Sequence, residues 1–277
     1  MTDVHIDAYF ERIGFAGSIA PTLETLVQLH ALHPAAIPFE NLNPLMDMPV
    51  RLELRNLEQK LLFDRRGGMC IEHNLLFKAL LESLDFGVKA VGARVYWNHP
   101  EEQERPQTHM ALIVDVGGVS YLCDVGFGGL TLTAPLRLRS ESEQATPHET
   151  FRLIKDESDW RLEVLIGEDW RLLYRFDTVQ RTLEELAAIN DAAVNDGYFR
   201  DNLVVARAEK TRRLSLGNNR FSIYPLEGEP EHRLIASLET LKEVLAGPFG
   251  LTLPVTDRLD PALHKALDKG PIQTSVA

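Results

Sequence analysis

The chain has 277 residues, 44% of them hydrophobic and 25% charged, with 29 Lys and Arg against 41 Asp and Glu for a net charge of −12. A chain this long buries about three quarters of its unfolded surface and needs no disulfide or metal to hold a core, and its composition excludes disorder as the main state. The acidic balance argues against nucleic-acid binding. Two cysteines, Cys70 and Cys123, make no disulfide framework and fit a reducing compartment. The opening MTDVHIDAYF lacks the basic and apolar regions of a signal peptide, and no run reaches membrane-helix length. A cytoplasmic protein with no membrane partner is expected.

In chain order, the first third reads as helical. Thr22 is placed to cap a helix in which Leu23, Leu26, Val27 and His30 share a face. Leu57, Leu61 and Leu62 predict another. The strongest helical pattern runs from Cys70 to about Leu84, with Asn74, Phe77, Leu81 and Leu84 in register and Gly87 as its stop. Val, Ile and aromatic residues then predict strands over 88–97 and 108–125, separated by the polar loop NHPEEQERPQ. Further strands are expected near 151–154, 160–166 and 170–176. A helix over 182–193, short strands near 212–216 and 221–224, and a helix over 238–246 follow. The tail KGPIQTSVA reads as frayed.

Gly117-Gly118 between two β-prone runs is a strong two-residue hairpin signal. If Val116 and Val119 close the turn, Ala111 faces Asp124 and His109 faces Gly126. Side chains alternate with period two, so His109 and Asp124 become diagonal neighbours on one face, within reach of each other. Gly126 leaves space beside the imidazole, and Cys123 points to the opposite face. A one-residue slip would reverse this and bring Cys123 to His109.

Arg65-Arg66-Gly67-Gly68-Met69-Cys70 leads into the strongest helix with Cys70 at its start. The N–H groups and dipole there favour an anion, and the thiolate is the nucleophilic form of cysteine. Together the two features propose a Cys–His–Asp set. Cys70 attacks a carbonyl, His109 moves the protons, and Asp124 orients the ring. Whether Cys70 reaches His109 is open at this level. A metal set from Cys70, His73, His109 and Cys123-Asp124 is disfavoured because the register turns Cys123 away, so no metal is expected.

These residues meet a known pattern. Arg66-Gly67-Gly68-x-Cys70-x-Glu72-x-Asn74, the upstream Pro38-Phe39-Glu40-Asn41-Leu42, Thr108-His109 at a strand start, and Asp124-Val125-Gly126-Phe127-Gly128 resemble the arylamine N-acetyltransferase family. The resemblance is strongest from about Pro38 to Leu136 and weak after Thr178. It implies an α+β fold: a helical N-terminal domain, a β-barrel middle domain and an α/β C-terminal domain around a cysteine-protease-like catalytic core. The corresponding segments are 1–86 with the catalytic Cys, 87–178 with the His and Asp, and 179–277 with an inter-domain helix and lid.

The resemblance further implies acetyl transfer from acetyl-CoA to arylamines, arylhydrazines or N-hydroxyarylamines through an acetyl-cysteine, with Cys70, His109 and Asp124 as the triad. It suggests Phe39 and Phe127 as acceptor-pocket walls. It also suggests Gly126, Gly128 and Gly129 as close-approach points for the pantetheine chain of coenzyme A. Arg66 and Glu40 are expected to form a bidentate pair, with Glu72 and Asn74 bracing the helix start. Met69 and Ile71 replace flanking residues that are often aromatic in the family, and Met69 is expected to add a flexible wall. The alternatives are an amide synthase acting on a polyketide thioester, a Cys–His–Asp hydrolase, and a silent coenzyme A-binding protein. The natural acceptor and the oligomeric state are not encoded legibly.

Overall fold

The structure, a computed structural model, describes residues 4–272; Met1–Asp3 of the opening segment and 273–277 of the tail lie outside the described residues. Helices α1 (Ile6–Ile13), α2 (Leu23–Ala36), α3 (Leu42–Leu45), α4 (Leu54–Glu58) and α5 (Cys70–Ser83) occupy the first third. A two-residue strand, β1 (Phe39–Glu40), lies among them, and α4 runs into a π-helical turn over Gln59–Phe63. Thr22 does cap α2, its Oγ1 accepting the Thr25 N–H at 3.3 Å. The buried stripe is rotated from expectation, however. Leu26, Leu29, His30 and His33 are buried while Leu23 and Val27 are exposed, because the partner surfaces lie against the 26/29/30/33 face.

Helix α5 is buried on nearly all sides, from Cys70 through Leu81, as suits a helix apolar around most of its circumference. Its N-terminus is closed by Glu72, whose Oε2 accepts the Met69 N–H at 2.8 Å. It ends at Ser83 rather than at Gly87. Asp85 takes the left-handed turn at φ 62°, and Gly87 is already the first residue of a strand.

Eight antiparallel strands form one sheet: β2 (Gly87–Val95), β3 (His109–Val116), β4 (Val119–Cys123), β5 (Leu136–Arg137), β6 (Glu143–Ala145), β7 (Thr150–Asp156), β8 (Asp159–Ile166) and β9 (Asp169–Phe176), in the order β5-β4-β3-β2-β9-β8-β7-β6. Its edges are stitched together by one side chain. Gln144 Oε1 accepts the Arg137 N–H at 2.8 Å and its Nε2 donates to Arg137 O at 3.0 Å, standing in for a ladder pair and bringing the sheet close to a closed barrel. The interior is packed with Val91, Ala111, Ile113, Phe151, Leu173 and Phe176 among others. The β3–β4 hairpin has the expected register, Val116 opposite Val119 and Leu112 opposite Cys123. Gly117 and Gly118 both have positive φ (60° and 81°), as a type I′ turn demands.

The remainder holds α6 (Leu183–Asn195), capped by Thr182, α7 (Tyr198–Asp201), β10 (Val204–Glu209), β11 (Arg212–Gly217), β12 (Arg220–Pro225), β13 (Glu231–Leu234), α8 (Leu238–Ala246) and α9 (Leu259–Lys269). The strands form a second sheet in the order β1-β10-β11-β12-β13. The sequence patterns showed no sign of β1, β10 or α9. Strand β1 is too short to carry a periodicity, yet it pairs Phe39 with Ala206 and Glu40 with Val205 and bridges Phe39 to Gly68. It thus ties the turn before Cys70 to the C-terminal sheet. The described part of the tail is held rather than frayed: Asn218 Nδ2 donates to Gly270 O at 2.9 Å. No helix among the described residues is long and apolar enough to cross a membrane.

Candidate active site

Three elements converge. Cys70 opens α5, His109 opens β3, and Asp124 follows β4 directly. His109 Nε2 lies 2.6 Å from Asp124 Oδ2, with the ring and the carboxylate both buried. A ring nitrogen facing a carboxylate carries the proton, which leaves Nδ1 for a second partner. The Cys70 sulfur lies 3.9 Å from the carbonyl of Thr108, the residue before His109, and it favours the protonated form of the same ring.

Burial alone would drive charge off His109, but the Asp124 carboxylate overrides it, the thiol adds to the effect, and the imidazole pKa rises to about 10. Burial would likewise push the Asp124 carboxyl up. The charge of His109 and the hydrogen bonds from His109, Asn74 and the Gly126 N–H hold it below the usual carboxylate range instead.

Asp124 is fixed on every side. Asn74 Nδ2 donates to its Oδ1 at 3.0 Å and the Gly126 N–H donates to the same oxygen at 3.0 Å. Its main-chain N–H donates to His30 Nε2 at 3.2 Å, and its carbonyl accepts Thr131 Oγ1 at 2.9 Å. Asn74 also donates to Met110 O at 2.9 Å and accepts the Val125 N–H at 3.1 Å. It braces the carboxylate as well as the helix start. Arg213, paired to Glu149 at 2.7 and 2.5 Å, donates to Thr131 O at 2.9 Å and ties this loop to the C-terminal sheet.

The turn that delivers Cys70 rests on glycine. A Cβ on Gly67 would lie 2.0 Å from Pro38 O. Gly126 plays a packing part rather than leaving free space beside the ring. A Cβ there would lie 2.7 Å from Cys70 O and 2.9 Å from Cys70 Cα, so its lack of a side chain lets the loop after β4 meet the start of α5. The Arg66–Glu40 pair forms, but not as a two-oxygen fork. Arg66 Nε and Nη2 both reach Glu40 Oε1, at 2.9 and 2.6 Å, because Oε2 is taken by the Leu42 N–H at 2.6 Å.

Phe127 stands edge-on to the His109 ring at 5.2 Å. Phe39 lies on Gly128, which has φ 88°, and against Phe199 at 5.9 Å. Gly129 is buried in the Gly128–Thr131 turn. Met69 is packed in the helical core at 1% exposure. Cys123 is fully buried in that same core, on the far side of β4 from Asp124, and burial pushes its thiol pKa up. His73 is turned away from Cys70 and reaches Pro38 O at 3.1 Å. Residues 70, 73, 109 and 123 therefore do not converge as a ligand set.

Sequence reasoning missed His30, Thr131 and Tyr174. The Tyr174 ring packs on His109 at 5.1 Å, and its hydroxyl is buried beside Asp124, both effects raising its pKa. None of the three belongs to a local motif: Thr131 lies 7 residues past Asp124 in the loop after β4, and His30 and Tyr174 arrive from α2 and β9.

Comparison with known proteins agrees with this geometry. A family model described as N-acetyltransferase matches residues 22–258. The chain is 38% identical over 249 residues to an arylamine N-acetyltransferase / N-hydroxyarylamine O-acetyltransferase of Salmonella typhimurium, covering 89% of this chain and 88% of that one. It is 37% identical over 254 residues to an arylamine N-acetyltransferase of Mycolicibacterium smegmatis, covering 90% and 92%. Among solved structures it resembles the Mycobacterium marinum arylamine N-acetyltransferase in complex with CoA, with TM-score 0.89, 34% identity, and 95% and 98% coverage. With its motifs in register, its barrel and its Cys–His–Asp convergence alongside these likenesses, the chain belongs to the arylamine N-acetyltransferase family.

Proposed function

We propose that this protein transfers an acetyl group from acetyl-CoA to the nitrogen of arylamines, arylhydrazines or N-hydroxyarylamines, in two half-reactions on Cys70. The observation that carries this reading is the buried His109–Asp124 pair at 2.6 Å, with the Cys70 sulfur 3.9 Å from the carbonyl of Thr108, the residue before His109. The raised imidazole pKa favours a proton on the ring, the arrangement that leaves sulfur as the nucleophile.

In the first half-reaction the Cys70 sulfur attacks the thioester carbonyl. The carbon–sulfur bond to coenzyme A breaks, and His109 gives its proton to the departing thiolate. In the second, the acceptor nitrogen attacks the acetyl-cysteine. His109 takes the amine proton, and the Cys70 sulfur leaves as the amide forms. Asp124 stays ionised and holds the ring throughout. Aryl nitrogens suit the second step because they are neutral near pH 7.

In this reading Phe39 and Phe127 border the acceptor, and Gly128 and Gly129 let the pantetheine chain run close to the backbone, while the side-chain space at Gly126 is taken by the start of α5. The segments 1–86, 87–178 and 179–277 are the units this reading assigns to the nucleophile, the acid–base pair and the lid. A cytoplasmic location fits the two free cysteines, and the acidic charge fits a small-molecule rather than a nucleic-acid partner.

Intact-protein mass spectrometry tests the reading. One acetyl group is expected on the protein after acetyl-CoA, absent in Cys70→Ala, retained in Cys123→Ala, and discharged by an arylamine. Acetylation that survives in Cys70→Ala, or that fails equally in both variants, sinks it.

A further inference from the structure

The triad leaves unused a set of buried imidazoles on α2 and α5. His33 Nε2 lies 2.8 Å from His73 Nδ1, the Tyr9 hydroxyl meets His33 Nδ1, and His73 Nε2 reaches Pro38 O. A carbonyl can only accept, so His73 carries its proton on Nε2. Its Nδ1 then accepts from His33, and His33 accepts from Tyr9. The chain of donors is complete with every ring neutral, and it fastens α2 to α5 one turn beyond Cys70.

His30, three residues before His33, faces the other end of the triad. Its Nε2 lies 3.2 Å from the Asp124 nitrogen, an N–H donor, so the ring accepts there and its own proton sits on Nδ1, which has no partner at hydrogen-bond distance among the described residues. Phe77 of α5 packs edge-on against the ring at 5.8 Å and 88°, which sets its plane. Asp124 lies just past the last ladder pair of the hairpin, Leu112 with Cys123. Its main chain is therefore placed by side chains, with His30 on the N–H and Thr131 on the carbonyl.

We propose that His30 is a positioning residue for acetyl transfer: by accepting the Asp124 N–H from a helix locked to α5, it sets where the carboxylate behind His109 sits relative to Cys70. The titratable groups that face it are Asp124, from the loop after β4, and His33, from its own helix. Neither supplies a second acceptor for that N–H. The proposal rests on the triad reading above.

The test is single-turnover acetylation of Cys70 by acetyl-CoA across pH, followed by mass spectrometry, in His30→Gln and His30→Asn. A glutamine oxygen reaches the place of Nε2, whereas an asparagine amide ends near the place of Nδ1. His30→Gln is expected to stay within about threefold of the native rate. His30→Asn is expected to lose about tenfold, the scale of one hydrogen bond. Its alkaline limb should move to lower pH, because a carboxylate that drifts from His109 no longer holds that ring's proton as tightly.

A merely structural His30 would lower the melting temperature of both variants and leave rate and pH profile of the folded protein unchanged. That outcome, or equal slowing in both, overturns the proposal. A second readout needs no variant: a nitrogen–nitrogen coupling across the hydrogen bond between the Asp124 amide and His30 Nε2 is expected by NMR, and its absence overturns the proposal as well. Failure of the triad reading is seen separately, as a native protein that takes no acetyl group on Cys70.

Discussion

Asn74 Nδ2 lies 3.0 Å from Asp124 Oδ1, so the helix that presents Cys70 also holds the carboxylate that orients His109. The nucleophile and the carboxylate are thereby set by one rigid element. Asn74→Ala removes this charge-assisted donor and the acceptor for the Val125 N–H. It is expected to cost about 1.5–3 kcal/mol of stability and to slow Cys70 acetylation at least about tenfold, checked by urea unfolding and rapid-quench mass spectrometry. A variant that acetylates at the native rate would contradict this role for Asn74.

Gly126 makes a second prediction. In Gly126→Ala the added carbon would lie 2.7 Å from Cys70 O, 2.9 Å from Cys70 Cα and 3.0 Å from Asn74 Nδ2. The start of α5 must shift, and an ångström of misplacement costs about a hundredfold in rate. Gly87→Ala is the control: its Cβ would meet only Asp115 Cβ, at 3.6 Å, and native activity is expected. Equal rates in the two variants would show that the contact is not critical.

The Arg66–Glu40 pair supports the turn before the nucleophile. Arg66→Met leaves the fully buried Glu40 carboxylate with the Leu42 N–H and with Lys60 at 3.9 Å as its remaining cation among the described residues. A loss of about 3–5 kcal/mol is expected. Adding Glu40→Gln removes the stranded charge and recovers part of it. A double variant less stable than Arg66→Met by the full cost of a second, independent change would show that the two residues do not act as a pair.

Protonation predicts a stability maximum near pH 6.5. Burial holds His30 and His73 at about 4 and His33 well below the ordinary 6.5. Below 6.5 the unfolded chain binds protons that these three folded rings refuse, so stability falls as pH drops from about 6.5 towards 4. His109 has the opposite sign. Its contribution is fully present below 6.5 and is lost as pH rises through about 10. Asp124, held low, contributes above the ordinary 3.8 and loses that contribution as pH falls through its folded value. Urea midpoints against pH should therefore show an acid limb steeper than the alkaline one. A symmetric curve would mean that the buried imidazoles are not held neutral.

The hairpin register was legible because Gly117-Gly118 fixes the turn and the period of two then assigns each face. His109 and Asp124 followed from that alone. Helix α8 was legible near Leu238–Ala246, where the structure has it, with Ser237 capping its start. The buried face of α2 was not, since a helix with apolar residues around much of its girth has no unique stripe until its neighbours arrive. Glu40–Arg66 was foreseen as a pair but not as one oxygen shared by two nitrogens, because the competing Leu42 N–H is a feature of the folded backbone.

By itself, then, the chain's residue order determined the chemistry-bearing types, the hairpin that aligns a ring with a carboxylate, and the helix start that offers a thiol. These depend on neighbours within a few positions and on fixed local periods. Only the tertiary structure decided that the sulfur reaches the start of the strand that carries the ring, that His30 takes the Asp124 N–H from 94 residues away, and that β1 joins the C-terminal sheet. Those contacts close long loops, and their geometry is set by the packing of whole elements against one another, which no local pattern records.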